Sequence, residues 1–120
     1  MKSGTGYQLP DGTYSNVSEV TFGGVSGSQA ATIATDVIDV GARGCARLTL
    51  NVTTATAGSL DVTVQTRKDA SDSWRTVAAF AQKTTVTSER KCFSGLDRQV
   101  RANCVIVTGP FEFSISGELV

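Results

Sequence analysis

The feature that most constrains this sequence is a period-two alternation of apolar and polar side chains, recurring in separate stretches. Ala46, Leu48, Leu50 and Val52 alternate with Arg47, Thr49, Asn51 and Thr53. Leu60, Val62 and Val64 alternate with Asp61, Thr63 and Gln65. Val100, Ala102, Cys104 and Ile106 share one parity, and Phe111, Phe113, Ile115 and Leu119 alternate with Glu112, Ser114, Ser116 and Glu118. Successive side chains of a strand point to opposite faces, so each stretch predicts a strand with one buried and one wet face. No window carries the 3.6-residue apolar stripe of a helix.

The punctuation between these stretches predicts how they connect. Ile33, Val37, Ile38 and Val40 suggest one or two short strands interrupted by Asp36 and Gly41. Thr54 to Ser59 form a loop around Gly58. Asp69-Ala70-Ser71-Asp72-Ser73 is a polar turn, so Leu60 to Phe80 reads as a hairpin. Trp74, Val77 and Phe80 break strict alternation, which predicts a bulge or bend in the returning strand. A Thr-rich strand over Thr84 to Phe93 follows, ended by Ser94-Gly95, and Gly109-Pro110 marks a tight turn. The expected fold is all-β: an antiparallel β-sandwich or barrel of about seven strands over residues 31–120.

Residues 1–30 differ. They hold six of the twelve glycines and only three charged residues, Lys2, Asp11 and Glu19. Leu9-Pro10-Asp11-Gly12 reads as a turn, and Tyr7, Tyr14, Val20 and Phe22 are scattered apolar anchors. Such a segment cannot build its own core, so an extended or flexible N-terminal arm is expected, its aromatics laid across a neighbouring surface.

The chemistry available is narrow. The chain has no histidine, which removes Ser-His and Cys-His machinery and the commonest zinc ligand. No enzyme activity, cofactor or metal is expected. Asp36 with Asp39, and Asp69 with Asp72, read as turn closures; calcium is the sharper alternative for the second pair. Cys45, Cys92 and Cys104 are too widely spaced for a metal clip; Cys104 reads as a small buried hydrophobe, and a bond between subunits stays open for the other two. Eleven basic and eleven acidic residues balance to zero, giving no electrostatic reason to bind nucleic acid or membranes. No apolar run approaches a membrane span, and Met1-Lys2 leads into Ser, Gly and Thr rather than an apolar signal region, so synthesis and folding in the cytoplasm are expected.

The residues that remain are candidates for contact with a partner. Arg90, Lys91, Arg98 and Arg101 lie close in sequence on two strands that are candidate neighbours. They read either as solvated edge charge, with Glu89 and Asp97 to neutralise it, or as a patch for an acidic protein surface. Trp74, the single tryptophan, reads as a core or hairpin-rim residue or as an interface anchor. With Tyr7, Tyr14 and Phe22 of the arm, these make up the candidate contact set.

From about Ala46 to the end the chain resembles small all-β virion proteins of tailed bacteriophages. The residues carrying this are Trp74-Arg75-Thr76-Val77 with Phe80, Ser88-Glu89-Arg90-Lys91, Leu96-Asp97-Arg98-Gln99-Val100-Arg101, and the Phe111 to Glu118 strand. The resemblance implies a non-enzymatic structural protein of the virion, made in the host cytoplasm. It would act as a homo-oligomer that decorates or stabilises the capsid by binding the major capsid protein. A head-tail connector or tail component is the alternative within that setting. A carbohydrate-binding β-sandwich module, using Trp74, Asp69 and Asp72, is the alternative of another class.

Overall fold

The computed structural model describes residues 18–41 and 44–119. Nine strands run in chain order: β1 (Ser18–Thr21), β2 (Ile33–Ala34), β3 (Ile38–Asp39), β4 (Cys45–Ala55), β5 (Gly58–Arg67), β6 (Arg75–Ala79), β7 (Thr87–Ser94), β8 (Gln99–Thr108) and β9 (Phe111–Leu119). No helix occurs among the described residues. The strands make two antiparallel sheets. One has the order β1-β9-β4-β7; the other has the order β2-β8-β5-β6, with β3 also paired to β8.

The alternating stretches are the long strands of these sheets, and parity decides their faces. On β4, Ala46, Leu48, Leu50 and Val52 are buried; on β5, Leu60, Val62 and Val64; on β8, Val100, Ala102, Cys104 and Ile106; on β9, Phe111, Phe113, Ile115 and Leu119. All fifteen belong to one apolar cluster, which therefore draws on both sheets. Full burial of each large aliphatic or aromatic side chain contributes roughly 1.5–3 kcal/mol, the main term holding the sheets together.

Among the described residues the strands number nine where about seven were expected, for two reasons. Ile33 to Val40 divides into β2 and β3 because Thr35 intervenes: its N–H donates to the Ala102 carbonyl (2.9 Å) and its Oγ1 accepts the Ala102 N–H (2.8 Å). A side-chain oxygen thus replaces one rung of the ladder. The other added strand is β1, inside the segment expected to be an arm. Ser18 to Thr21 pair with Leu119 to Ser116 of β9, Phe22 and Val25 are buried in the core, and Gln29 exchanges backbone hydrogen bonds with Phe111 (2.8 Å each). Residues 18–22 and Gln29, inside the expected arm, are therefore joined to β9. Tyr7 and Tyr14 lie outside the described residues.

The β5–β6 hairpin forms as expected, and its bulge falls at Val77: Val64 pairs with Ala78 and Gln65 with Thr76, leaving Val77 as the extra residue. The Thr-rich strand begins at Thr87 rather than Thr84, because Lys83 is drawn into a backbone bridge with Leu60. The turn at Gly109-Pro110 carries the chain from one sheet to the other, since β8 and β9 do not pair. Space explains one glycine in particular. A Cβ at Gly117 on β9 would stand 2.0 Å from the Arg47 carbonyl oxygen, so β9 approaches β4 this closely only with hydrogen at that position.

Candidate functional site

The outer face of β5 and β8 carries the most organised group of polar side chains. The parity that buries Val64 and Thr66 turns Gln65 and Arg67 outward, and the parity that buries Val100 and Ala102 turns out Gln99 and Arg101. The register sets Gln65 opposite Arg101 and Arg67 opposite Gln99. Each pair is joined: Arg101 Nε donates to Gln65 Oε1 (2.9 Å) and Arg67 Nε donates to Gln99 Oε1 (2.8 Å). The result is a checkerboard in which each guanidinium is held by an amide of the neighbouring strand.

Trp74, just before β6, lies against this checkerboard. Its ring centroid is 4.2 Å from the guanidinium carbon of Arg67 and 4.5 Å from that of Arg101, within cation–π range. Trp74 is thus a half-buried residue at the rim of the β5–β6 hairpin rather than a core residue, with two cations over the indole. Burial first and the neighbouring Arg67 charge second press the pKa of Arg101 below the usual arginine value. No carboxylate pairs with either arginine among the described residues, and their Nη groups donate to nothing there.

The other basic residues do not join this group. Strands β7 and β8 belong to different sheets, so Arg90, Lys91, Arg98 and Arg101 do not form one patch. Arg90 faces outward on β7, and Lys91 faces the opposite side of the same strand. Arg98 sits in the connection to β8, paired with Asp39 at 3.0 Å. The Gly41 N–H first and Arg98 second hold the Asp39 carboxyl below the usual aspartate value. The acids expected to neutralise the patch have other partners: Asp97 pairs with Arg75 (2.9 Å) and Glu89 with Lys83. Phe22 is 2 % exposed, so its side chain is committed to the chain's own core rather than to a partner.

The aspartates of the β5–β6 turn work on their own loop. Asp69 Oδ1 accepts from the Ser71 hydroxyl (2.6 Å) and the Ser71 N–H (2.9 Å), which lowers its pKa. Asp72 accepts the Lys68 N–H (3.0 Å) and its own chain's Ser73 N–H (3.0 Å). Both close the turn, and no group of three or more potential metal ligands occurs among the described residues.

Two features had little or no sequence signal. Lys83 is 7 % exposed and ion-paired with Glu89 of β7, whose Oε1 also accepts the Ala81 N–H (3.0 Å). Because Lys83 also bridges Leu60 of β5, this pair ties one sheet to the edge of the other. Arg67 was absent from the candidate set, although its place on the wet face two residues after Gln65 was readable from the alternation. Of the cysteines, Cys104 is buried, its thiol pushed up to about 12 by desolvation, while Cys45 and Cys92 are exposed on the outer face of the first sheet.

Strand β7 is an edge: it pairs with β4 on one side and with no strand on the other among the described residues. No helix there is long and apolar enough to cross a membrane. No family model, curated protein or solved structure matches the chain.

Proposed function

We propose that this chain is a non-enzymatic virion structural protein of the tailed-phage kind, which decorates or stabilises a capsid by binding the major capsid protein. We infer also that its two sheets close face to face as a β-sandwich, a reading supported by the single apolar cluster that both sheets feed. The resemblance of the region after Ala46 to such virion proteins supplies the setting.

The observation that carries the docking role is the eight-residue edge strand β7. Its backbone groups on one side have no strand partner among the described residues. Its outward side chains are short or polar, with Ser88, Arg90, Cys92 and Ser94 on one face. An edge of this length can accept a strand from another protein, gaining backbone hydrogen bonds with little demand on sequence. Arg90 and Lys91 discourage indiscriminate pairing between copies. On a shell, repetition of a modest contact over many sites raises the total binding strength.

Quantitative mass spectrometry of purified particles tests this. A copy number near that of the major capsid protein is expected. Absence from particles overturns the reading, and a handful of copies per particle transfers the protein to a head-tail connector or tail position.

A further inference from the structure

We propose that Arg67, Trp74 and Arg101 form a recognition site for carboxylates on an acidic protein segment. This deepens the docking role proposed above and rests on it, since it names the chemistry of the partner surface.

The argument starts from preorganisation. Holding a long cationic side chain in place ordinarily costs rotamer entropy at the moment of binding. Here that ordering is already present. Arg67 is fixed by Gln99 Oε1 and by the indole of Trp74, and Arg101 by Gln65 Oε1 and the same indole. In both cases the Nε donor is used inside the fold while the two Nη groups remain without a partner among the described residues. A guanidinium so held presents a forked pair of donors that matches the oxygens of a carboxylate.

Charge is the second part. Arg47 has Glu118 as its acid, Arg75 has Asp97 and Arg98 has Asp39. Arg67 and Arg101 have no ion-pair partner among the described residues, and the charge of Arg67, after burial, depresses the pKa of Arg101. Two like charges on one ring repel, and an anion between or beside them relieves that repulsion. Of the acids nearest in sequence, Asp97 is paired with Arg75, and Asp69 is hydrogen-bonded to Ser71 and feels Arg67 only through its field, without an ion pair.

The partner chemistry follows from the size of the site. Two cations on a chain of zero net charge make a poor track for a polyanion, whose binding rests on many phosphate contacts. They are enough to seat one or two acidic side chains. The Trp-and-Arg composition is the kind that anchors protein interfaces.

Trp74 is the only tryptophan, so its fluorescence in the intact chain reports on this site directly. The probes are a hexaglutamate peptide, a single-stranded DNA 12-mer and inorganic phosphate, each titrated at low and at moderate salt. Hexaglutamate is expected to change Trp74 emission saturably, with affinity falling as salt rises. The variants R67Q and R101Q are expected to lose about tenfold in affinity each, the scale of one charge-assisted contact. R98Q, which removes an arginine already paired with Asp39, should bind as the parent does. R67K keeps the charge without the fork and should fall between R67Q and the parent, which separates the site from a folding defect. The proposal is overturned by an absent hexaglutamate response, or by R67Q and R101Q binding unchanged. Tighter binding of the DNA makes it a nucleic-acid site instead. Phosphate binding as tightly as the peptide makes it a small-anion site. A spectral change with protein concentration alone assigns the face to a second copy. Since the particle assay reads location and this one reads chemistry, either reading can fail while the other stands.

Discussion

The Lys83–Glu89 pair gives a sharp test of how this fold is held together, because its two members are buried to different depths. The Lys83 side chain is 8 % exposed and that of Glu89 is 27 % exposed. In the variant E89Q the Ala81 N–H keeps an oxygen acceptor, but the largely buried Lys83 ammonium loses its counter-charge. Removing one partner of a buried pair costs about 3–5 kcal/mol, and the retained amide oxygen places E89Q near the low end, about 3 kcal/mol. In K83M the charge left behind is Glu89, which already meets solvent and still accepts the Ala81 N–H. Its loss of a partner resembles that of a surface ion pair, about 1 kcal/mol or less, offset by the apolar burial of Met. The double variant should match K83M, leaving a coupling of about 3 kcal/mol in magnitude. Urea denaturation followed by far-ultraviolet circular dichroism reads all four proteins, and E89Q should melt about 8 °C below K83M at roughly 4 °C per kcal/mol. The reasoning fails if K83M is destabilised as much as E89Q, or if the coupling is below about 0.5 kcal/mol.

Other consequences follow from single positions. The variant G117A forces a methyl group against the Arg47 carbonyl and should cost about 3 kcal/mol in urea denaturation, by parting β9 from β4. In 5,5′-dithiobis(2-nitrobenzoate) labelling, Cys45 and Cys92 should react in the folded protein and Cys104 only after denaturant is added. Burial holds the Cys104 thiol protonated up to about 12, whereas in the unfolded chain it ionises near 9. Its contribution is therefore complete below that lower value and declines as pH rises toward the upper one, a slope that C104A should lack when stability is followed against pH. For Glu89 the sign is opposite. Its hydrogen bond from Lys83 depresses the folded pKa, so the stability it adds is present above the ordinary glutamate value and lost as pH falls through the depressed one; K83M should shallow that acid limb.

Strands β4, β5, β8 and β9 were legible in the sequence because each carries an unbroken alternation, and alternation is what a half-buried strand requires. The Val77 bulge was legible for the same reason in reverse, as a place where alternation fails. Sheet membership was not legible. Arg98 and Arg101 follow Arg90 and Lys91 closely, but nothing local reveals that the chain crosses between sheets at that point and separates them. Phe22 looked like a loose anchor because the strand it packs beside, β9, is remote in sequence. Of the Arg67–Trp74–Arg101 cluster, Trp74 and Arg101 stood out in the sequence as contact candidates. Arg67 was not, because its significance arises from a register with Gln99 that only the folded sheet sets.

The order β1-β9-β4-β7 contains no two strands that are successive along the chain. The central strand β4 therefore waits for both of its neighbours, one of which is β9, and β1 waits for the same strand. During synthesis this sheet cannot close until β9 has left the ribosome, whereas the β5–β6 hairpin of the other sheet can form early. A chain truncated before Phe111 would lose the partner of β1 and one side of β4 together. The β7 edge would then border a sheet that lacks two of its strand pairings, β1 with β9 and β9 with β4.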